Sequence, residues 1–375
     1  MKTRAGDGPI LLAAGGTGGH MFPAEALARA LIARGRAVAL VTDERGAAFG
    51  DALAEVPVHR IRAATLGAGL LGKVRTVAEL GWCTLLARRL LGSLAPAAVV
   101  GFGGYPSVPT MLAAQRMGVP TIIHEQNAVL GRANRLLAKN ARQVATSFPA
   151  VALLTNERQQ RTGNPVRPAI AALRDAPYQP PQDGPIELLV TGGSQGAQVL
   201  GEVVPVAASM LAGSLKHRLR VYQQARPEQV DAVRAAYLAA GIQAEVAPFF
   251  KDMPARLAAC QLAITRAGAS TVAELAACGR PALLVPYPHA TDDHQTANAK
   301  ALAASGGAWV VPQPEFSPAS LAARLALLLE SPATLSMAAD ASRGWGIPDA
   351  AEKLADAVLD LAPGNGARHI HGVAA

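Results

Sequence analysis

Ile10-Leu-Leu-Ala-Ala-Gly15-Gly16-Thr17-Gly18-Gly19-His20 runs from an apolar stretch into a glycine turn, and Met21-Phe-Pro-Ala-Glu25-Ala-Leu27 continues from it with a helical composition. A buried strand, a tight glycine turn and a helix make the opening βα unit of a doubly wound α/β domain. The grammar returns at Leu188-Leu-Val-Thr-Gly192-Gly193-Ser194-Gln195-Gly196-Ala197, with Gly192 standing 177 residues after Gly15. Two such openings in one chain imply two domains of the same class.

Outward from these two anchors, short apolar runs alternate with Ala/Leu/Arg-rich helical stretches, the pattern of a parallel sheet. In the first half the spacing predicts strands over 9–13, 37–42, 97–101, 120–124 and 143–147. In the second half it predicts them over 186–191, 219–223, 244–248, 262–265, 281–286 and 308–311. Gly163 to Pro185 holds six prolines and few long apolar residues, so it reads as the linker, with the boundary near residue 166. A last helix is expected from Asp349 to Leu361, followed by a polar, glycine-containing tail expected to be disordered.

The 375 residues suit two domains at roughly 150 residues each. Half the residues are hydrophobic and 17% are charged, which supplies cores and excludes general disorder. No uncharged apolar run reaches the roughly 18 residues of a membrane span, and Ile10-Leu-Leu stops at Gly15-Gly16 before becoming a signal-peptide core. A soluble or peripheral, cytoplasmic protein is expected. Cys83, Cys260 and Cys278 have no pairing or metal-ligand spacing and read as reduced, buried thiols.

The net charge of +8 is divided unequally. Residues 1–168 carry 20 Lys and Arg against 9 Asp and Glu, a net +11, and the remainder is −3. Nucleic acid, a membrane surface or an anionic substrate would each suit such a half. Basic and apolar residues interleave along Arg60-Ile-Arg62, Leu70-Leu-Gly-Lys73-Val-Arg75, Leu80-Gly-Trp82 and Arg88-Arg89-Leu-Leu91, and Arg132, Arg135, Lys139 and Arg142 form a second basic cluster. These are either solvated helix faces or an interfacial patch for an anionic leaflet. With only 4% aromatic residues and no binding module, nucleic acid is the weaker reading.

Glycine turns between strand and helix let backbone N–H groups approach an anion, or simply pack a helix close on its strand. The first turn lacks both the dinucleotide fingerprint, since Met21 stands at the third glycine position, and a P-loop Gly-Lys-Ser/Thr. His20 ends that turn, where an imidazole is suited to take a proton from a hydroxyl near neutral pH; a packed or capping histidine is the alternative. Arg266-Ala-Gly-Ala-Ser270-Thr271-Val-Ala-Glu274 follows a strand and offers a phosphate-holding turn with a carboxylate placed to accept from a vicinal diol. Alternatively, Thr271 and Glu274 form a capping box. The consecutive Asp292-Asp293-His294 cannot converge on one ion from a helix, so no metal site is expected. Gly101-Phe-Gly-Gly104, His124-Glu-Gln-Asn127 and Gly163-Asn-Pro-Val-Arg167 add polar groups after strands and at the domain junction.

Gly15 to His20, His124 to Asn127, Gly163 to Arg167, Gly192 to Gly196, Gly268 to Glu274 and His294-Gln295-x-x-Asn298 together resemble, in order and spacing, the MurG family of GT-B glycosyltransferases. The resemblance runs from about residue 9 to about residue 360. It implies two Rossmann-like doubly wound parallel-sheet domains facing across a cleft. Residues 1–165, with a C-terminal helix at about 347–362, would bind the acceptor and the membrane; 166–346 would bind UDP-GlcNAc; 363–375 would be the tail. The implied activity is peptidoglycan synthesis: inverting transfer of GlcNAc from UDP-GlcNAc to the 4-hydroxyl of MurNAc in undecaprenyl-diphosphate-MurNAc-pentapeptide (lipid I). It needs no cofactor or metal, and takes place at the cytoplasmic face of the bacterial inner membrane with cell-wall synthesis proteins as candidate partners. Carried over by motif, His20 is the catalytic base and Glu274 binds the ribose. The backbone of Ala269, Ser270, Thr271, Val272 and Ala273 lines the nucleotide, and that of Phe250 meets the uracil. Ser194 and Arg167 meet the diphosphate, Gln295 and Asn127 the sugar, while Thr17, Gly18 and Gly19 close the donor site. A UDP-GlcNAc epimerase of GT-B type is the competing enzyme reading. His294 stands where glutamine is common in the family.

Overall fold

The computed structural model describes residues 8–15, 18–44, 55–61, 69–155, 157–193 and 196–362, with backbone alone over 69–74. Thr17, Ser194 and the tail from 363 lie outside the described residues, as do Gly16, Arg62 and Gln195. The chain forms two units. One holds the residues up to Gln126, Leu130–Pro165 and those from Asp349; the other holds Asn127–Val129 and Val166–Pro348.

The first unit is built from β1 (Ile10–Ala13), α1 (Gly18–Ala33), β2 (Val38–Thr42), β3 (Val58–Arg60), α2 (Gly69–Leu94), β4 (Ala98–Gly101), α3 (Ser107–Arg116), β5 (Thr121–Glu125), α4 (Arg132–Ala138), β6 (Gln143–Thr146) and β7 (Gln159–Arg161). Its sheet has the order β3-β2-β1-β4-β5-β6-β7, with Ile10 of β1 in register with Val38 on one side and Ala98 on the other, both parallel. Successive side chains of a strand point to opposite faces. Ile10 and Leu12 therefore pack with Leu27 and Leu31 of α1, and Leu11 and Ala13 pack with Leu91 of α2 and Met111 of α3. Helices on both faces explain why β1 reads as an unbroken apolar run.

The second unit begins with α5 (Pro168–Ala171) and continues through β8 (Ile186–Thr191), α6 (Gln198–Ser209), α7 (Gly213–Lys216), β9 (Leu219–Gln224), α8 (Val230–Ala239), β10 (Gln243–Ala247), α9 (Met253–Ala259), β11 (Leu262–Thr265), α10 (Ala269–Cys278), β12 (Ala282–Leu284), α11 (His294–Ala304), β13 (Ala308–Val310), α12 (Pro318–Leu329) and α13 (Pro332–Trp345). Its parallel sheet runs β10-β9-β8-β11-β12-β13. Ile186, Leu188 and Val190 bury one face against Leu200 and Val204 of α6, Val233 of α8 and Leu325 of α12. The chain then returns to the first unit as α14 (Ala350–Leu361), whose Leu354 and Val358 join the core beneath α1.

In each sheet the strand order reverses beside the first strand, at β1/β4 and at β8/β11. Open α/β sheets bind ligands outside the carboxyl ends of their strands at such a reversal. The loops leaving these four strands are the glycine-rich motifs of the sequence. Gly192 shows why: a Cβ there would lie 2.2 Å from the Ala197 backbone nitrogen.

Two strands departed from the sequence reading. β3 (Val-His-Arg) and β7 (Gln-Gln-Arg) are the edge strands of the first sheet, half-buried to exposed, and need no apolar run. No single described helix is long and apolar enough to cross a bilayer.

Candidate active site

In the first unit His20 is the third residue of α1, and its half-buried ring rests on the β4–α3 loop. A Cβ at Gly103 or Gly104 would come within 3.4 Å of that ring, and both glycines hold positive φ, +89° and +76°. The Gly15 N–H donates to the Gly103 carbonyl at 3.2 Å, locking the two loops together. His20 Nδ1 is out of water and makes no well-aligned hydrogen bond among the described residues. Desolvation lowers the pKa of His20 below 6.5, against the opposing charge of Glu125 and the nearby Gln126 side chain and Phe102 carbonyl. The imidazole is therefore neutral at physiological pH, the form that accepts a proton. Gly18 and Gly19 begin the same helix, half-buried and exposed respectively.

Beneath it, His124 is fully buried and donates from Nε2 to the Gly163 carbonyl at 2.9 Å, while its Nδ1 accepts from Gln126 Nε2 at 3.1 Å. The same Gln126 amide donates to the Phe102 carbonyl at 2.9 Å. Burial pushes the His124 imidazole down to about 4. Glu125 is also buried, and its Oε2 accepts from the Gly131 N–H at 2.9 Å and from Asn134 Nδ2 at 2.8 Å. These bonds fix the carboxylate whose charge acts on His20.

In the second unit the N-terminus of α10 has no side-chain cap; Gly268 is the N-cap residue, with φ −63° and ψ 144°. The capping box expected from Thr271 and Glu274 does not form, because the helix starts at Ala269 and Thr271 already lies in its first turn. Ala269, Ser270, Thr271 and Ala273 are half-buried and Val272 is buried. An uncapped N-terminus presents free N–H donors and the positive end of the helix dipole, which suits a phosphate. Glu274 is engaged elsewhere: Arg167 reaches its Oε1 from Nε at 3.1 Å and from Nη2 at 3.0 Å. Burial pushes the Glu274 carboxyl up and Arg167 opposes it. Oε2 of Glu274 accepts from no described residue.

Gln295 Oε1 accepts from the Ala267 N–H at 3.2 Å and the Tyr287 N–H at 3.0 Å, which fixes the orientation of its amide. Asn127 belongs to this unit although the sequence reading put it in the first half. Asn298 Nδ2 donates to Asn127 Oδ1 and to the Ala267 carbonyl, both at 3.1 Å, and Asn298 Oδ1 accepts from the Ala128 N–H at 2.8 Å. Asn298 is fully buried, a structural role that its place in the motif His294-Gln295-x-x-Asn298 does not reveal. Arg266, whose role its motif likewise does not reveal, donates to the Val285 and Pro286 carbonyls and to Gln313, holding the loop that Gln295 meets. His294 donates from Nδ1 to the Thr291 carbonyl at 2.8 Å, a local turn contact. Phe250 buries its ring, consistent with a main-chain role.

Residues 10–146 match the model of the glycosyltransferase family 28 N-terminal domain and 187–356 that of the family 28 C-terminal domain. A protein of Rhodospirillum centenum named UDP-N-acetylglucosamine--N-acetylmuramyl-(pentapeptide) pyrophosphoryl-undecaprenol N-acetylglucosamine transferase is 64% identical over 363 residues, 96% of each chain. The crystal structure of Acinetobacter baumannii MurG superposes with a TM-score of 0.79 at 32% identity, covering 94% of this chain and 99% of that one. The chain belongs to the MurG family. It is a MurG-type glycosyltransferase of the GT-B class, with two Rossmann-like parallel-sheet domains. A UDP-GlcNAc 2-epimerase from Neisseria meningitidis superposes at a TM-score of 0.62 with 14% identity over 94% of this chain and 100% of its own, a likeness of fold alone.

Proposed function

We propose that this MurG-family chain works through His20 as general base and the second unit as donor site. The reaction moves GlcNAc from UDP-GlcNAc to the MurNAc 4-hydroxyl of lipid I with inversion, giving lipid II. The observation that carries the base assignment is the neutral His20 imidazole, held against Gly103 and Gly104 at the strand reversal of the first sheet. Nδ1 faces the protein, which leaves Nε2 to take the hydroxyl proton as the oxygen attacks the anomeric carbon and the C–O bond to UDP breaks.

Charge then develops on the departing diphosphate, and the free N–H groups of Ala269, Ser270 and Thr271 are suited to meet it. Arg167, paired with Glu274, is the cation placed to meet the diphosphate, together with Ser194. Glu274 Oε2 accepts from the ribose hydroxyls; Gln295 and Asn127 bind the sugar and Phe250 the uracil. The first unit takes the acceptor.

UDP release from UDP-GlcNAc with a lipid I analogue tests this. His20→Ala should cut kcat by about 10²- to 10⁴-fold, and Glu274→Ala should mainly raise KM for UDP-GlcNAc. A near-normal rate in His20→Ala removes it from the base role, and turnover of UDP-GlcNAc without acceptor would instead mark an epimerase.

Peripheral binding at the cytoplasmic face of the inner membrane is part of the same proposal. Helix α2 exposes Val77 and Trp82, at 69% and 60%, with Leu85 and Leu86, beside exposed Arg75, Arg88 and Arg89. Each basic group near an anionic leaflet contributes about 1 kcal/mol. Flotation with anionic vesicles, lost in Trp82→Ser and absent with zwitterionic vesicles, is the expected outcome.

A further inference from the structure

Arg256 lies one turn into α9, with its side chain 9% exposed. Its Nε donates to Asp252 Oδ1 at 2.9 Å and its Nη2 to Glu245 Oε1 at 2.7 Å. The guanidinium carbon sits 4.0 Å from the ring centre of Phe250 and 4.6 Å from that of Tyr222. Nη1 is out of water and has no hydrogen-bond partner among the described residues. Glu245 and Tyr222 are register partners on β10 and β9. One planar cation thus joins two strands, the first turn of α9 and the loop between them.

Desolvating a guanidinium is costly, and an aliphatic side chain would fill the same space without that cost. What arginine adds is direction: two ion pairs fix the plane, and the plane fixes the rings stacked on it. Phe249, one residue away, is 68% exposed, so the loop has no apolar anchor but Phe250. The other end of α9 is held independently, since the buried Arg280 donates to the Leu257 and Ala258 carbonyls. The helix is a fixed post from which Arg256 sets the main chain at Phe250.

We propose that Arg256 is a positioning residue for nucleobase selection, holding the Phe250 main chain where it accepts uracil and rejects cytosine. The inference rests on the donor-site reading above. Uracil and cytosine differ in N3 and in the exocyclic group at C4, where donor and acceptor are exchanged. A rigid main-chain N–H or C=O distinguishes them, whereas a loose one re-pairs with either.

The test compares Arg256→Met, which keeps the stem and removes the charge, with Asp252→Asn and Glu245→Gln, whose side chains are exposed and whose loss leaves the buried position filled. The readouts are kcat, KM for UDP-GlcNAc, and inhibition by UDP against CDP. Arg256→Met should raise KM about tenfold, leave kcat within about threefold and reduce the preference for UDP over CDP about tenfold. The two carboxylate variants should move the preference in the same direction by less. Glu274→Ala should weaken UDP and CDP alike, because the ribose is common to both. Should Glu274→Ala leave both inhibitors unaffected, the donor-site reading itself fails. If it weakens both while the three other variants keep the wild-type UDP preference, the role given to Arg256 is overturned.

Discussion

Acid should unfasten the first unit through His124. The neutral tautomer there is dictated by its partners: Nε2 must donate to the Gly163 carbonyl and Nδ1 must accept from Gln126. A proton on Nδ1 would point at an amide hydrogen in a site with no water access. Folding therefore holds the group down from 6.5 to about 4, while the unfolded chain titrates it near its ordinary value. The stabilisation is complete above about pH 6.5 and is lost as pH falls toward 4, because only the unfolded chain takes up the proton in that window. At 1.36 kcal/mol per unit, the span amounts to about 3 kcal/mol. His124→Gln retains a donor toward Gly163 and cannot be protonated. Urea unfolding of the first unit, followed by hydrogen exchange in peptides covering β4 and β5, should show wild type losing about 3 kcal/mol more than His124→Gln between pH 6.5 and 4. Parallel losses in the two proteins would refute the reasoning, since His124 would then titrate alike in folded and unfolded chains.

Glu125→Gln keeps acceptors for Gly131 and Asn134 but removes the charge that raises His20, so the acidic limb of the kcat/KM profile should move to lower pH. Gly104→Ala places a Cβ 3.2 Å from the Gly15 Cα at a φ of +76°; it should cost about 1–2 kcal/mol in urea melts and lower kcat by shifting His20. Asn298→Ala removes three buried hydrogen bonds; thermal melting of the second unit should drop, reflecting about 2–4 kcal/mol, and KM for UDP-GlcNAc should rise as Asn127 is released.

The sequence exposed the parts of the fold that burial writes into it. β1 and β8 are covered on both faces, so they appear as apolar runs, and the turns after them must be glycine because backbone nearly touches backbone at Gly192. β3 and β7 lie at sheet edges and carry no such imprint. The place of His20 at the reversal of the first sheet was legible because the motif carries strand, turn and helix start together. The site was not legible where a side chain is claimed from afar: Glu274 three residues after Thr271 has capping-box spacing, but Arg167, 107 positions earlier, takes the carboxylate. Arg256 left no motif, because Tyr222, Glu245 and Phe250 meet it only after β9 and β10 pair.

The passage of α14 into the first unit bears on how the polypeptide is made. Everything the second unit requires has been translated by Pro348, whereas the core under α1 lacks Leu354 and Val358 until residues 350–361 have emerged from the ribosome. The half begun first is thus completed last, and the core beside α1 stays incomplete through the synthesis of the other half. A nascent chain halted at Pro348 would carry one finished domain and one whose α1-side core lacks its last side chains, a ready substrate for chaperones and proteases.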